Sequence, residues 1–175
     1  MAKRPQSSVI GAAGEHLVLS HLLRLGFIAG KTPDFTKDYD LVVLNEGGNN
    51  SAPIQVKTTT KQNWIMQNKH ENPIDNLFYC FVRMSLKNSD SEIYVLDSKT
   101  VSNFVKISHI IWLKVPGRNG QPHNDTNMRQ LSRNVIFNSS SVLEEFLDKD
   151  ELKFIESHAE GWIEKYKNAW HLIKT

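Results

Sequence analysis

The 175-residue sequence has one cysteine, six prolines and no apolar run near the ~20 residues of a membrane span. With Cys80 alone no disulfide can close within the chain, which suits a reducing compartment or a fold needing no staple. The amino-terminal MAKRPQSSVIGAAGE has two basic residues but no apolar stretch of signal-peptide length. A soluble, cytoplasmic protein with no membrane partner is the expectation. The seven histidines show no metal-ligand spacing; His16 and His21, five apart, do not share a helical face. Cys80 lies in an apolar run and reads as a small buried hydrophobe.

Hydrophobic residues make up 39% of the chain, and its length suffices for a buried core. The net charge of +2 is unevenly spread. Residues 141–175 hold five basic and eight acidic side chains, so the remainder is net positive. Within 99–133, Lys99, Lys106, Lys114, Arg118, Arg129 and Arg133 face only Asp125, a balance that favours a polyanion or marks a solvated loop.

Period and punctuation predict a helix from Ile10 to Leu25 ending at Gly26, then a short strand over Phe27 to Gly30. Tyr39 to Leu44 reads as a strand, Glu46 to Asn50 as its turn, and Ile54 to Thr59 as an antiparallel neighbour. A loop or short helix is expected through Trp64 and Pro73. Strands follow at Leu77 to Met84 and Ile93 to Leu96, with a turn over Lys87 to Asp90. A helix capped by Ser98 should run to Val105, and His109 to Val115 reads as a strand or further packing around Trp112. Residues 116–133 read as a mobile loop and Val135 to Phe137 as a last short strand. Ser141 to Glu144 has a capping-box pattern, and Leu152, Ile155, Ala159, Trp162, Tyr166 and Trp170 predict one amphipathic C-terminal helix. The expected architecture is α/β: a central mixed sheet flanked by helices over residues 1–140, with a helical extension over 141–175.

Asp40 opens a strand, Leu41-Val42-Val43-Leu44, that is apolar on both faces and therefore central. On the next strand Gln55 and Lys57 point one way and Ile54 and Val56 the other. Burying an amide and an ammonium together is costly unless they have work to do. Asp40, Gln55 and Lys57 would then lie side by side at a sheet edge, where oxygen donors and an ammonium suit a hard divalent cation and a phosphate. The Val56 carbonyl can supply a further oxygen. Glu15 adds a carboxylate from Gly11-Ala12-Ala13-Gly14-Glu15, whose small residues let a helix approach the sheet closely.

Glu15 on a first helix, Asp40 opening a strand and Gln55-Val56-Lys57 on the next resemble the PD-(D/E)XK nuclease superfamily. The likeness is to its archaeal Holliday-junction resolvase and restriction-endonuclease-like members, over roughly residues 10–100. It implies a magnesium-dependent DNA endonuclease, with manganese as a substitute cation. Glu15, Asp40 and Gln55, with the Val56 carbonyl, would bind the metal, and Lys57 would assist attack of water on a phosphodiester. Gln55 departs from the family's usual acidic residue, although the family includes members with glutamine there. The implied partner is double-stranded or branched DNA. Lys114, Arg118, Arg129 and Arg133 are candidate phosphate contacts, and a homodimer with the aromatic C-terminal helix as seam would suit a two-strand cut.

Two other classes stay open. A nucleic-acid-binding module could keep the nuclease fold without cleavage, with Gln55 as the lesion. A partner-binding protein could instead use its acidic C-terminal segment. Separately, Asp40 could be a strand-opening turn residue, Lys57 a solvated strand-end lysine and Glu15 a favourable charge at a helix start. Asp38, two residues before Asp40, is its rival for the carboxylate role.

Overall fold

The computed structural model describes residues 5–33, 35–36, 38–87, 90–117, 120–134 and 140–175, with only the backbone of 140–142. The expected strand at Val135 to Phe137 therefore lies outside the described residues, as do Arg118, part of the turn between Lys87 and Asp90, and the Ser141 side-chain cap.

The chain opens with α1 (Ser7–Arg24), three residues earlier than the apolar stripe suggested. It stops where Gly26 takes a left-handed φ of +87°, a conformation that costs glycine nothing. Five strands form the main sheet: β1 (Ile28–Lys31), β2 (Leu41–Leu44), β3 (Ser51–Thr59), β5 (Phe78–Arg83) and β6 (Glu92–Asp97). Their order is β1-β2-β3-β5-β6, and only the β3–β5 pair is parallel. The sheet is thus mixed, with β3 at its centre. Strand β4 (Asn63–Gln67) leaves this sheet and pairs with β7 (Met128–Ser132) as an antiparallel two-stranded ribbon. The remaining helices are α2 (Ser98–Lys114), α3 (Ser140–Phe146) and α4 (Lys149–Ser157).

Two apolar layers sandwich the sheet. On one face Val18 and Leu22 of α1 pack on Leu41, Val43, Ile54, Val56, Cys80 and Val95. On the other, Val101, Phe104, Val105 and Ile111 of α2 pack on Tyr79, Phe81, Tyr94 and Leu96, joined by Trp64, Met66 and Leu131 of the ribbon. Odd and even positions of β3 and β5 serve different layers, as the pleat requires.

Gly14 is the contact that brings α1 down onto β3. A methyl group there would sit 2.9 Å from Thr58 Cβ and overlap its hydroxyl. Gly14→Ala should therefore cost about 1–3 kcal/mol by overpacking. Gly11→Ala meets nothing within 4 Å and should leave the melting temperature unchanged or raise it, so paired thermal melts check the close approach.

Several expectations are corrected. The cap of α2 is Asp97, whose carboxylate accepts from the Thr100 N–H at 2.9 Å and the Thr100 hydroxyl at 2.7 Å. Ser98 is instead buried in the first turn, where its hydroxyl accepts from the Ile74 N–H at 3.0 Å. Residues 109–114 continue α2 and are not a strand: Ile110 and Ile111 are β-branched and favour extension, but packing of the buried stripe, including His109 and Ile111, overrides that propensity. The segment through Trp64 is a strand, and so is 128–132 within the expected loop. The expected single C-terminal helix breaks after Ser157, and Gly161, at φ +87°, turns the chain into short 3-10 turns at Glu164–Tyr166 and Trp170–Leu172. Its aromatics do not form an exposed stripe. Trp162 stacks on Phe104 at 4.7 Å in one core layer, and Trp170 closes the other. Lys167 bridges Tyr94, so this segment also covers the outer edge of β6. No helix of the described residues is long and apolar enough to cross a membrane.

Candidate active site

The backbone of Asp40 is tied to β3 by its N–H donating to the Ile54 carbonyl at 2.8 Å. Its carboxylate then takes over from the ladder: Asp40 Oδ2 accepts from the Val56 N–H at 2.7 Å. Strand residues direct their N–H and C=O to the same neighbour, so the Val56 carbonyl faces the gap between β2 and β3 into which Asp40 opens. Burial pushes the Asp40 carboxyl above its ordinary range. The Val56 bond opposes that rise, and the charge of Glu15 adds to it.

Glu15 comes from α1, nine positions into the helix, and so it is not a helix-start charge. It pairs with Lys31, the last residue of β1, at 2.8 Å. Lys31 also acts on Asp40, pulling its carboxyl down as Lys57 does. Gln55 is 7% exposed and stands in register with Tyr79; its amide makes no hydrogen bond with the described residues. Lys57, half-buried and level with Phe81, shares that face of β3. Burial holds its ammonium below the ordinary lysine value, against the opposing pull of Asp40. Glu15, Asp40 and Lys57 are thus electrostatically coupled at the end of the sheet where β2 begins.

Asp38 takes a different part. It sits at a left-handed φ of 73° and pairs with Lys69 at 2.6 Å. Next to Lys69, His70 is 5% exposed, bonded through Nδ1 to the Gln67 backbone, with Nε2 buried and unpartnered among the described residues. Burial holds its imidazole below the ordinary histidine value, against the opposing Gln67 backbone bond, and the charges of Lys57 and Lys69 add to the lowering. Lys31, Lys69 and His70 were not legible in the sequence. Lys31 lay in a turn-like Lys-Thr-Pro-Asp stretch, and nothing in spacing tied His70 to β3.

The described basic residues of 99–133 singled out as phosphate contacts are all committed inside the chain. Arg129 is 6% exposed and holds Glu71 through Nε, Asp125 at 3.3 Å and the Met128 carbonyl at 3.1 Å. Arg133 reaches Glu164 at 2.5 Å and Glu92 at 3.4 Å, and Lys114 reaches Glu151 at 2.6 Å. Arg129→Ala removes a buried side chain that holds half-buried Glu71 and two backbone carbonyls, and should destabilise by about 1–3 kcal/mol. A lower melting temperature with an unchanged salt dependence of DNA binding would separate this structural part from a phosphate contact.

No family model and no curated protein matches the sequence. Among solved structures, a bacterial homing endonuclease superposes with a TM-score of 0.52 at 16% identity, over 97% of this chain and 92% of that one. The fold is restriction-endonuclease-like. A Holliday junction resolvase from the archaeal hyperthermophile Archaeoglobus fulgidus matches with a TM-score of 0.36 at 13% identity, over 81% and 93% of the two chains. Within this restriction-endonuclease-like core, Asp40 stands at the β2–β3 gap with Glu15 approaching from α1.

The donor set fits a sparse hard-cation site. Two coupled carboxylates, a buried unpartnered amide and a strand carbonyl are oxygen donors. Magnesium takes few protein oxygens and keeps its waters. Among the described residues no three His, Cys, Asp or Glu side chains are grouped so that they could hold a metal ion, and the set here has two carboxylates.

Proposed function

We propose that this protein is a divalent-metal-dependent endonuclease that hydrolyses DNA phosphodiester bonds. The observation that carries the reading is Asp40. A carboxylate is held half-buried at the β2–β3 gap, at an electrostatic cost, with Lys57 beside it. Such costs are characteristic of functional sites. The superposed homing endonuclease supports the same chemistry on this fold.

Asp40 and Glu15, with the Gln55 amide oxygen and the Val56 carbonyl, would hold magnesium or manganese. The cation would supply Lewis-acid polarisation of the phosphate and a more acidic water. Lys57 offsets the negative charge that grows on the phosphate as water attacks. Lys31 offsets Glu15 when no cation is present, which keeps two carboxylates tolerable in one place. DNA enters as duplex or branched substrate, and a second copy of the chain would supply the second cut.

Supercoiled plasmid incubated with pure protein and magnesium or manganese tests the reading. Nicking that chelator abolishes supports it. No cleavage of linear, nicked, single-stranded or branched DNA at any metal concentration overturns it.

A second reading, a nuclease-fold DNA-binding module without cleavage, is favoured by one feature. Gln55 is neutral and Glu15 is already paired with Lys31, so the four charges near the site cancel. Gln55→Glu separates the two. An added carboxylate should lower the magnesium concentration for half-maximal cleavage by about tenfold, on the ~1.4 kcal/mol scale of one charge–cation contact across a partly wet site. If the wild type is inert, the same change switching on cleavage marks Gln55 as the lesion. Gln55→Leu should need more magnesium than the wild type. Metal titrations of the three proteins give the comparison.

A further inference from the structure

The β4–β7 ribbon has one side in the core and one side in solvent. Trp64, Met66 and Leu131 are buried, as is Arg129. The outward residues are Asn63, Ile65 and Gln67 on β4 and Met128, Gln130 and Ser132 on β7. Ile65 is 60% exposed and Met128 51%, so this face presents two large apolar side chains to solvent. None of the six is a carboxylate, although the chain has 19 acidic residues.

The outward residues are arranged in rungs. Ile65 is directly opposite Gln130, Met128 opposite Gln67, and Ser132 opposite Asn63. Two of three rungs therefore pair an amide with an apolar side chain. Asn63 Nδ2 donates to Gln130 Oε1 at 3.1 Å, which fixes both amides and leaves Asn63 Oδ1 and Gln130 Nε2 without a partner among the described residues.

We propose that this face reads base edges in the major groove of duplex DNA, with a preference for A·T pairs. The inference rests on the endonuclease reading above and names where its sequence preference would reside. A two-stranded ribbon fits the major groove. There an amide can bond adenine N6 and N7 while an apolar side chain meets the thymine methyl, the combination that each mixed rung presents. Five residues span about 17 Å, or roughly five base-pair steps, and successive outward residues are about two steps apart.

Placement agrees with that occupant. β4 follows β3, the strand of Lys57, after a three-residue connection, and its far end meets Lys69, whose partner Asp38 is two residues from Asp40. A ribbon seated in the groove would thus read bases beside the phosphate held at Asp40. Lys61, exposed at one end, suits a flanking phosphate, whereas Lys69 at the other end is paired with Asp38. Asn63, Met128, Gln130 and Ser132 of this face also line a cavity of about 870 Å³ whose other walls include Trp112, Arg133, Glu160 and Glu164, with Glu164 held by Arg133 at 2.5 Å.

The test is selection of bound duplexes from a randomised library by the full chain, with chelator present so that no divalent cation supports cleavage, alongside the plasmid-nicking assay. The wild type should enrich A·T pairs within a block of about three to five positions. Gln130→Ala should reduce the preference at one or two of them by about tenfold. Ile65→Ala and Met128→Ala should reduce discrimination for thymine at neighbouring positions. Affinity for random DNA and its salt slope should hold, because phosphate contacts are untouched. These exposed positions leave the core intact, and thermal melts confirm it for each variant.

An identical base profile in the wild type and all three variants overturns the inference. Nicking without base preference overturns it while leaving the endonuclease reading in place. Base preference lost in Gln130→Ala, in a protein that never nicks, sustains the ribbon and removes the cleavage reading. No DNA binding removes both. If Ile65→Glu changes the sedimentation coefficient while the base profile stays the same, the face belongs to a protein contact, and the inference fails.

Discussion

Asp40→Asn should reduce magnesium-dependent cleavage by at least about 10³-fold, because a ligand's charge and the polarisation it supports are worth several kcal/mol. The same substitution should raise the melting temperature at neutral pH. The sign follows from linkage. Burial and Glu15 place the Asp40 carboxyl above its ordinary value in the folded chain. Stability from this group therefore falls as pH rises from the ordinary aspartate value through the raised one, and the full penalty is present at pH 7. Asparagine removes the charge and keeps an oxygen for the Val56 N–H. Activity in the wild type should fall on the acid side as Asp40 protonates, at a pH above the usual aspartate range. Paired nicking assays and thermal melts check both halves. Nicking retained by Asp40→Asn, in a preparation free of wild-type protein, would move the metal role away from Asp40.

Lys57→Met should lower the cleavage rate by about 10²–10³-fold, the usual cost of losing one group that offsets transition-state charge. The magnesium concentration for half-maximal rate should change far less, because Lys57 is not an oxygen donor. Burial lowers the lysine pKa, so the ammonium is disfavoured in the fold, and its penalty is present below the lowered value. The wild-type rate should accordingly fall on the alkaline side below the ordinary lysine range, a limb that Lys57→Met should lack. That variant should also melt higher at pH 7. Loss of rate with gain of stability is the mark of a residue held for function. A Lys57→Met protein as fast as the wild type would make Lys57 a strand-end lysine after all.

Local pattern carried the part of the site that lies on neighbouring strands. Alternation along β3 separates Gln55 and Lys57 from Ile54 and Val56, and the two-faced apolar run after Asp40 identifies β2 as covered on both sides. Small residues around Gly14 signalled the close approach of α1. The ribbon was harder to read. In β7 the inward positions are Arg129 and Leu131, so a buried arginine paired with half-buried Glu71 stands where a strand signal needs an apolar residue. The same pairing made Arg129 look available to a phosphate when charge was counted along the chain. In α2, residues 109–114 continue the helix because His109 and Ile111 extend the buried stripe of Val101, Phe104 and Val105, a relation that short-range pattern did not show.

The sequence by itself determined the secondary-structure order from α1 to β3, the strand positions of Asp40, Gln55 and Lys57, and the restriction-endonuclease-like resemblance. These depend on periods of two and 3.6 and on short turns, which are properties of contiguous residues. Tertiary structure alone decided that Lys31 meets Glu15, that His70 is buried near Lys57, and that β4 pairs with β7 some 60 residues away in a ribbon with an uncharged outer face. It also turned the C-terminal aromatics inward to close both core layers. The reason is that charge pairing and burial are set by distance in space. Residues far apart in the chain become neighbours only once the sheet, α1 and α2 have packed.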